Sequence, residues 1–181
     1  MNQKGLTVFI NTVTEVQDVI RGIMFRIGNG IDVHKLISGQ GFLLGGIKIP
    51  SLYSIDAHSD GDILYHAISD ALLGSIGIGD IGKYFPDNSD RTLGMNSEDI
   101  FLFSLNEVRK RNYRVSNIDN TILLQAVKLR DFIDKIRLNI ANAGDLSIDQ
   151  VSIKATTTEK MGFVGENKGI VVYSTVLIHR L

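Results

Sequence analysis

The sequence predicts one domain of mixed α and β structure, and three observations carry that expectation. Short apolar stretches around Phe25–His34, Phe42–Pro50, Tyr113–Val127, Val151–Thr156 and Ile170–Ile178 read as strands. Between them lie segments with apolar residues at helical spacing, above all Ile63, Leu64, Ala67, Ile68, Ala71 and Leu72. At 181 residues and 44% hydrophobic content the chain can bury one full core, near the typical size of a single domain.

Composition excludes several functions. The net charge is −1, with no basic run and little aromatic interleaving, so nucleic acid is not an expected partner. There is no Cys, which rules out disulfides and thiolate metal sites and fits a cytoplasmic protein. No apolar run is long enough to span a bilayer, so no membrane is expected either.

Residues 1–23 read as an N-terminal extension of unknown role, and 24–181 as a single catalytic domain. The extension has a short apolar run, Thr7–Ile10, and two acids, Glu15 and Asp18, but lacks the parts of a secretory signal. The strand around Asp32-Val33-His34 follows Gly28 and Gly30, a spacing expected where backbone passes close to another element. Strand alternation puts Asp32 and His34 on one face, a natural two-ligand half of a zinc site. Phe42–Pro50 reads as a hairpin turning at Gly45-Gly46, and Ser51–Ala57 as a loop.

The next stretch, Ala57–Gly74, reads as a loop entering a helix. Ser59 and Asp62 have the spacing of a capping box. Opposite the apolar stripe lie Asp62, His66, Ser69 and Asp70, so an imidazole stands between two carboxylates one turn away on either side. A solvated polar edge is the plain reading. A metal ligand held by outer carboxylates is the sharper one, since ligating histidines usually pass their other N–H to such a group. With Asp32 and His34, His66 makes three N/O ligands, the number that leaves a catalytic zinc one open position.

Beyond that helix, Asp80 to Asp87 is a glycine-and-acid loop placed for substrate contact. Asn96–Arg111 reads as a helix with Ile100, Phe101, Phe103, Leu105 and Val108 apolar. Tyr113–Val127 reads as a long strand or strand pair. Asp131–Ala143 is a further amphipathic helix, with Gly144 as its C-cap. Val151–Gly165 is a strand ending in Thr156-Thr157-Thr158-Glu159-Lys160, whose hydroxyls and N–H groups suit phosphate and whose acid suits a hard divalent cation. Ile170–Ile178 is a β-branched strand, expected to be central or at an oligomer interface.

Together these segments resemble one family, the 2-C-methyl-D-erythritol 2,4-cyclodiphosphate synthases of the non-mevalonate isoprenoid pathway. The resemblance rests on Arg26–Gly28 with Asp32–His34, the His58–Gly74 block, Asp80–Lys83 with Phe85–Asp87, and Lys154–Gly165, and it runs in order over about 24–181. It implies an α+β fold, a four-stranded mixed sheet with helices on one face, three subunits packing their sheets around a threefold axis, and active sites between neighbours. It implies that a small-molecule cytidine diphosphate substrate, 4-diphosphocytidyl-2-C-methyl-D-erythritol 2-phosphate, is cyclised with loss of CMP.

Carried over by resemblance, zinc is held by Asp32, His34 and His66, and magnesium or manganese by Glu159. His58 and Thr157 are the implied transition-state stabilisers. Ser59, Asp80, Ile81, Gly82, Phe85, Pro86 and Asp87 surround the erythritol phosphate, together with Asp32, His34 and His58. Gln125, Ala126 and Lys128, in the 124–130 loop, receive the cytidine and its phosphates from the adjacent subunit. Thr156, Thr158 and Phe163 complete the set with Thr157 and Glu159. The compartment implied is a bacterial cytoplasm ahead of a plastid stroma.

This chain departs from the family's pattern at Asn29, at Leu124 and Val127 in the cytidine loop, and at Glu166 and Lys168. The last two reverse the usual signs at a cavity on the threefold axis, so isoprenoid diphosphate binding is not carried over. Two other readings stay open on the residues alone. One is a zinc phosphohydrolase, because an open zinc site also activates water; the other is a non-catalytic trimer that binds isoprenoid phosphates.

Overall fold

A computed structural model describes residues 24–86 and 94–180. The expectations for residues 1–23 and for Asp87 lie outside the described residues. Seven strands and four α-helices are described: β1 (Phe25–Ser38), β2 (Phe42–Leu44), β3 (Ile47–Ile49), β4 (Tyr53–Asp56), α1 (Ile63–Ser75), α2 (Ser97–Lys110), β5 (Tyr113–Leu123), α3 (Ile133–Gly144), β6 (Val151–Thr156), α4 (Gly162–Gly165) and β7 (Gly169–Arg180). Short 3-10 turns, Ile81–Lys83 and Ile148–Gln150, precede α2 and β6.

The main sheet has the order β4-β1-β7-β5-β6. β7 runs antiparallel to both β1 and β5, while β5 and β6 are parallel, so the sheet is mixed as expected. The four strands β1, β7, β5 and β6 are joined by a short edge strand, β4, from the Ser51–Ala57 stretch read as a loop; Lys35 to Ser38 of β1 hold it in register. β7 lies at the centre, as its run rich in β-branched residues implies for a strand flanked on both sides by neighbours. The hairpin β2-β3 turns at Gly45 and Gly46 as read.

One sheet face carries the helices. α1 lies against β1 and β7, and its buried residues include His66 and Ser69 as well as the apolar stripe, so the whole helix is interior rather than one-sided. Gly28 and Gly30 face it at contact distance. A Cβ on Gly28 would stand 1.9 Å from the Ala71 carbonyl oxygen, and one on Gly30 2.0 Å from that of Ala67. The other face is uncovered, and alternation places Ile27, Ile31 and Val33 there with Tyr173 of β7, all more than 40% exposed.

Several local expectations are corrected. Asp62, not Ser59, caps α1: its carboxylate accepts from Tyr65 N and also from Gly45 N and Gly46 N, tying the helix start to the hairpin turn. Ser59 Oγ instead accepts from Gly61 N. Phe103 does not join the core but packs its ring against Tyr84 and Phe85. α3 continues through Gly144, and Asp145 takes the left-handed capping position at φ 53°. The long Tyr113–Val127 strand stops at Leu123, where Leu124 N bonds Thr156 O and the chain turns away. Among the described residues no helix is long and apolar enough to cross a membrane.

Candidate metal centre and active site

Three side chains from two elements converge at the end of β1. Asp32 and His34 project from β1 on the helix face, and His66 comes down from the second turn of α1. Their candidate ligand atoms all lie within 4.8 Å of one another. Asp32 Oδ2 is 3.2 Å from His66 Nδ1 and 3.3 Å from His34 Nδ1. The two rings are 5.7 Å apart.

The electrostatics are those of a cation site. Burial alone would raise the Asp32 carboxyl, but the two imidazoles outweigh it and hold the acid well below its ordinary range. Burial likewise disfavours a charged His66, yet Asp32, helped by the more distant Asp62 and Asp60, holds it above its ordinary 6.5. His34 Nδ1 is buried with no hydrogen-bond partner, since at 3.3 Å from Asp32 it is misaligned for one. A buried orphan nitrogen is costly unless something else fills the space in front of it. A carboxylate and two imidazoles, with no sulfur, form a donor set that suits zinc. The residues present therefore fit a metal ion.

The triad opens into a cavity of about 380 Å³ lined also by His58, Ser59, Asp70, Ile81, Gly82 and Phe85. Asp70 is where sequence placed it on α1, but it does not touch His66. Its carboxylate accepts from Ile81 N at 2.8 Å, which fixes the Ile81-Gly82 turn against the cavity, and burial pushes its acid up. Asp62, the other expected neighbour of His66, is turned to the hairpin, wholly buried, and pushed up by that burial. Asp80 faces elsewhere: its carboxylate caps the 3-10 turn through Lys83 N, and it is not a cavity residue. Pro86 is exposed and ends the described part of that loop.

The other expected residues gather at a second place. Thr156 ends β6, and Thr157 Oγ1 donates to Glu159 Oε1 at 2.8 Å in an exposed turn. Glu159 and Lys160 both take positive φ, 52° and 64°. Lys160 N reaches Gln125 Oε1 at 3.3 Å, which joins this turn to the loop holding Ala126 and Lys128. Thr158 Oγ1 caps back onto Met161 O, and Phe163 stands half-exposed against Gly169. One row of the sheet runs Val33, Val171, Leu123, Thr156. At ordinary strand spacing that puts the threonine turn roughly 14 Å across the sheet from the Asp-x-His strand. Both groups are at the same end of the sheet, but within one chain none of the threonine-turn residues lines the metal cavity.

Sequence reasoning missed Asp60 and Ser97, which stand behind His66. Ser97 Oγ is 2.9 Å from His66 Nε2 and donates to Asp60 Oδ1. The only local signal was a serine at a helix start, which reads as a cap. Of the departures, Asn29 Nδ2 donates to Thr175 Oγ1, Leu124 is buried, and Glu166 and Lys168 pair with each other at 2.5 Å.

Comparison with known proteins agrees with this geometry. The YgbB family matches residues 25–179. The 2-C-methyl-D-erythritol 2,4-cyclodiphosphate synthase of Fusobacterium nucleatum is 44% identical over 158 residues, covering 87% of this chain and 98% of the relative. That of Natranaerobius thermophilus is 45% identical, covering 86% and 99%. Among solved structures, the bifunctional IspDF from Campylobacter jejuni aligns at TM-score 0.85 and 38% identity over 88% of this chain. This chain spans only 43% of that longer protein. A CDP complex of IspF from Plasmodium falciparum aligns at TM-score 0.76 and 34% identity, over 86% of this chain and 96% of that one. With the Asp-x-His strand, the histidine helix and the threonine turn all in place, this chain belongs to the YgbB family of 2-C-methyl-D-erythritol 2,4-cyclodiphosphate synthases.

Proposed function

We propose that the protein converts 4-diphosphocytidyl-2-C-methyl-D-erythritol 2-phosphate to 2-C-methyl-D-erythritol 2,4-cyclodiphosphate and CMP, as a phosphorus–oxygen lyase of the isoprenoid route in a bacterial cytoplasm. The observation that carries this reading is the Asp32–His34–His66 centre with its orphaned nitrogen, set in the same cavity as His58 and Ser59. Zinc at that centre would supply a fixed positive charge to the phosphates, and magnesium or manganese at Glu159 would supply a second.

The reaction asks the protein for position and charge rather than for a nucleophile. A 2-phosphate oxygen forms a bond to the β-phosphorus, the bond from that phosphorus to the α-phosphate oxygen breaks, and its electron pair leaves with CMP. His58 and Ser59, at the cavity rim, hold the 2-phosphate end. The Ile81-Gly82 turn, fixed by Asp70, and the ring of Phe85 confine the erythritol. Thr157, whose hydroxyl proton goes to Glu159 in the free chain, would turn that proton to the charge that develops on the equatorial oxygens once Glu159 holds a cation. Gln125, Ala126 and Lys128 hold the cytidine side. Folding the two phosphates together removes the orientational cost of the step.

A homotrimer is part of the reading. Two observations support it: the apolar uncovered sheet face at Ile27, Ile31, Val33 and Tyr173, and the separation between the threonine turn and the metal centre in one chain. Sheets packed around a threefold axis would cover the first and bring one subunit's turn to its neighbour's metal centre. Phosphorus NMR of the protein with the diphosphocytidyl substrate tests the reading: matched growth of CMP and cyclic diphosphate is expected. Inorganic phosphate in place of the cyclic product would mean a phosphohydrolase, and an unchanged spectrum a binding protein.

A further inference from the structure

Behind His66 lies a pair of groups that the reaction itself does not use, Asp60 part-buried and Ser97 buried. Ser97, in the first turn of α2, is wholly buried. Its hydroxyl oxygen is 2.9 Å from His66 Nε2, and its proton goes to Asp60 Oδ1. The other Asp60 oxygen accepts Ser97 N at 3.2 Å, and Asp60 N donates to Met95 O at 3.1 Å, so carboxylate and serine are locked face to face. A serine hydroxyl has one proton to give, and an ionised carboxylate can only accept. The Ser97 proton is thereby committed to Asp60, and toward His66 the same oxygen can only accept. Ser59 Oγ, 3.4 Å from that nitrogen, is the more distant of its two hydroxyl neighbours.

It follows that neutral His66 carries its proton on Nε2 and turns a bare Nδ1 lone pair toward Asp32 Oδ2. A lone pair facing a carboxylate at 3.2 Å is repulsive unless a cation stands between them. We infer that Asp60 and Ser97 are positioning residues for the metal: they fix the tautomer and the ring orientation of His66, so that Nδ1 and not Nε2 is the ligand atom, and they raise its basicity. Outer-sphere partners of this kind commonly set ligand geometry and metal affinity. The inference deepens the functional reading and rests on its metal centre. It also gives α2 a part in the site, although α2 supplies no ligand.

The test measures zinc and the ring proton directly. Chelator-stripped protein is titrated with zinc against a chromophoric competitor, for the parent and for Ser97→Ala, Ser97→Cys and Asp60→Asn. Ser97→Ala is expected to weaken zinc roughly 10- to 100-fold, with Ser97→Cys and Asp60→Asn between it and the parent. Full zinc occupancy should return in every variant at saturation. Long-range proton–nitrogen NMR of the neutral His66 ring in metal-free protein should find the proton on Nε2 in the parent, and on both nitrogens in Ser97→Ala. Parental zinc affinity, within about twofold, in Ser97→Ala would overturn the inference. Should that variant fail to fold, parental affinity in Asp60→Asn would do the same, as would a proton on Nδ1 in the parent. A parent that binds no zinc would overturn the metal reading instead, leaving the tautomer measurement to judge the serine and aspartate alone.

Discussion

The metal centre and the threonine turn are built in opposite ways. At the metal centre, side chains from β1, α1 and the following loop meet below the surface. They are held by burial and by bonds that cross between distant segments, such as His66 to Asp32 and Ser97 to Asp60. At the threonine turn the groups lie exposed and are satisfied locally: Thr157 bonds Glu159 two residues on, and Thr158 bonds Met161. One region needs the rest of its own chain to exist. The other is a finished surface with hydroxyls, an acid and left-handed backbone, which becomes a site only opposite something else. On the trimer reading proposed above, a single chain carries two half-sites at one end of a sheet, and a neighbour would complete each.

The largest expected effect comes from the buried half. His66→Ala should abolish the one zinc per chain expected in the parent, as read by metal analysis, and lower turnover on the order of 10³-fold, the scale of losing a preorganised charge in a transition state. Stoichiometric zinc in that variant would dissociate the centre from its assigned ligands. The sharpest test of the two-halves comparison mixes two impaired chains at low magnesium. His66→Ala and Glu159→Gln proteins, unfolded together and refolded one to one, should recover about a quarter of parental activity, because one neighbour pair in four joins an intact metal half to an intact turn. No recovery, with mixed trimers confirmed by native mass spectrometry, would place both halves of each site in one chain.

Glu159→Gln alone should be milder. The variant is expected to keep its zinc and lose roughly 10- to 100-fold in activity at low magnesium, since an ion held by one or two carboxylates depends on each of them. Part of that should return at high magnesium or manganese by mass action. Superimposable magnesium curves for variant and parent would leave Glu159 as a strand-end residue only.

The smallest effect is a pH dependence of metal-free stability. His66 is favoured as imidazolium above its ordinary 6.5, so its contribution is complete below that value and is lost as pH rises through the raised one. Asp32 lies below its ordinary 3.8, so its contribution is complete above that value and is lost only as pH falls below it. The Tm of metal-free protein should therefore drop by a few degrees from about pH 6 to about pH 9. Zinc should cancel the drop, because it competes with the same proton and binds more tightly as pH rises. A metal-free Tm that climbs over this range would contradict the pairing of Asp32 with His66.

How much of this could be read in the sequence follows from how far each signal travels. Asp32, His34 and His66 were legible as a set because a strand's alternation and a helix's repeat are local rules, although the helix repeat alone put His66 on a polar edge and its burial shows only in the structure. The hairpin turn at Gly45-Gly46 was legible for the same reason. Asp62 was misread because the amides it caps include Gly45 and Gly46, which lie 17 and 16 residues upstream. What Asp70 and Asp80 touch within the chain was not legible, since one binds a loop amide and the other caps a turn. Ser97 carried only the signal of a helix start, because its meaning here depends on a carboxylate 37 residues earlier. The second half-site was named by resemblance, and its distance from the first appears only once strand order is known.

The two glycines of β1 have a further consequence. Because Gly28 and Gly30 let the carbonyls of Ala71 and Ala67 rest on the strand, main chain meets main chain between β1 and α1. The gap separating Asp32 and His34 from His66 is consequently gauged by the thickness of the polypeptide itself, like parts clamped against a machined stop. Side chains elsewhere in the core act on that gap only through packing, not through this main-chain contact. At Gly28 and Gly30 that main-chain contact itself is at stake. There a single added methyl group would lift the helix and carry His66 out of reach of its partners.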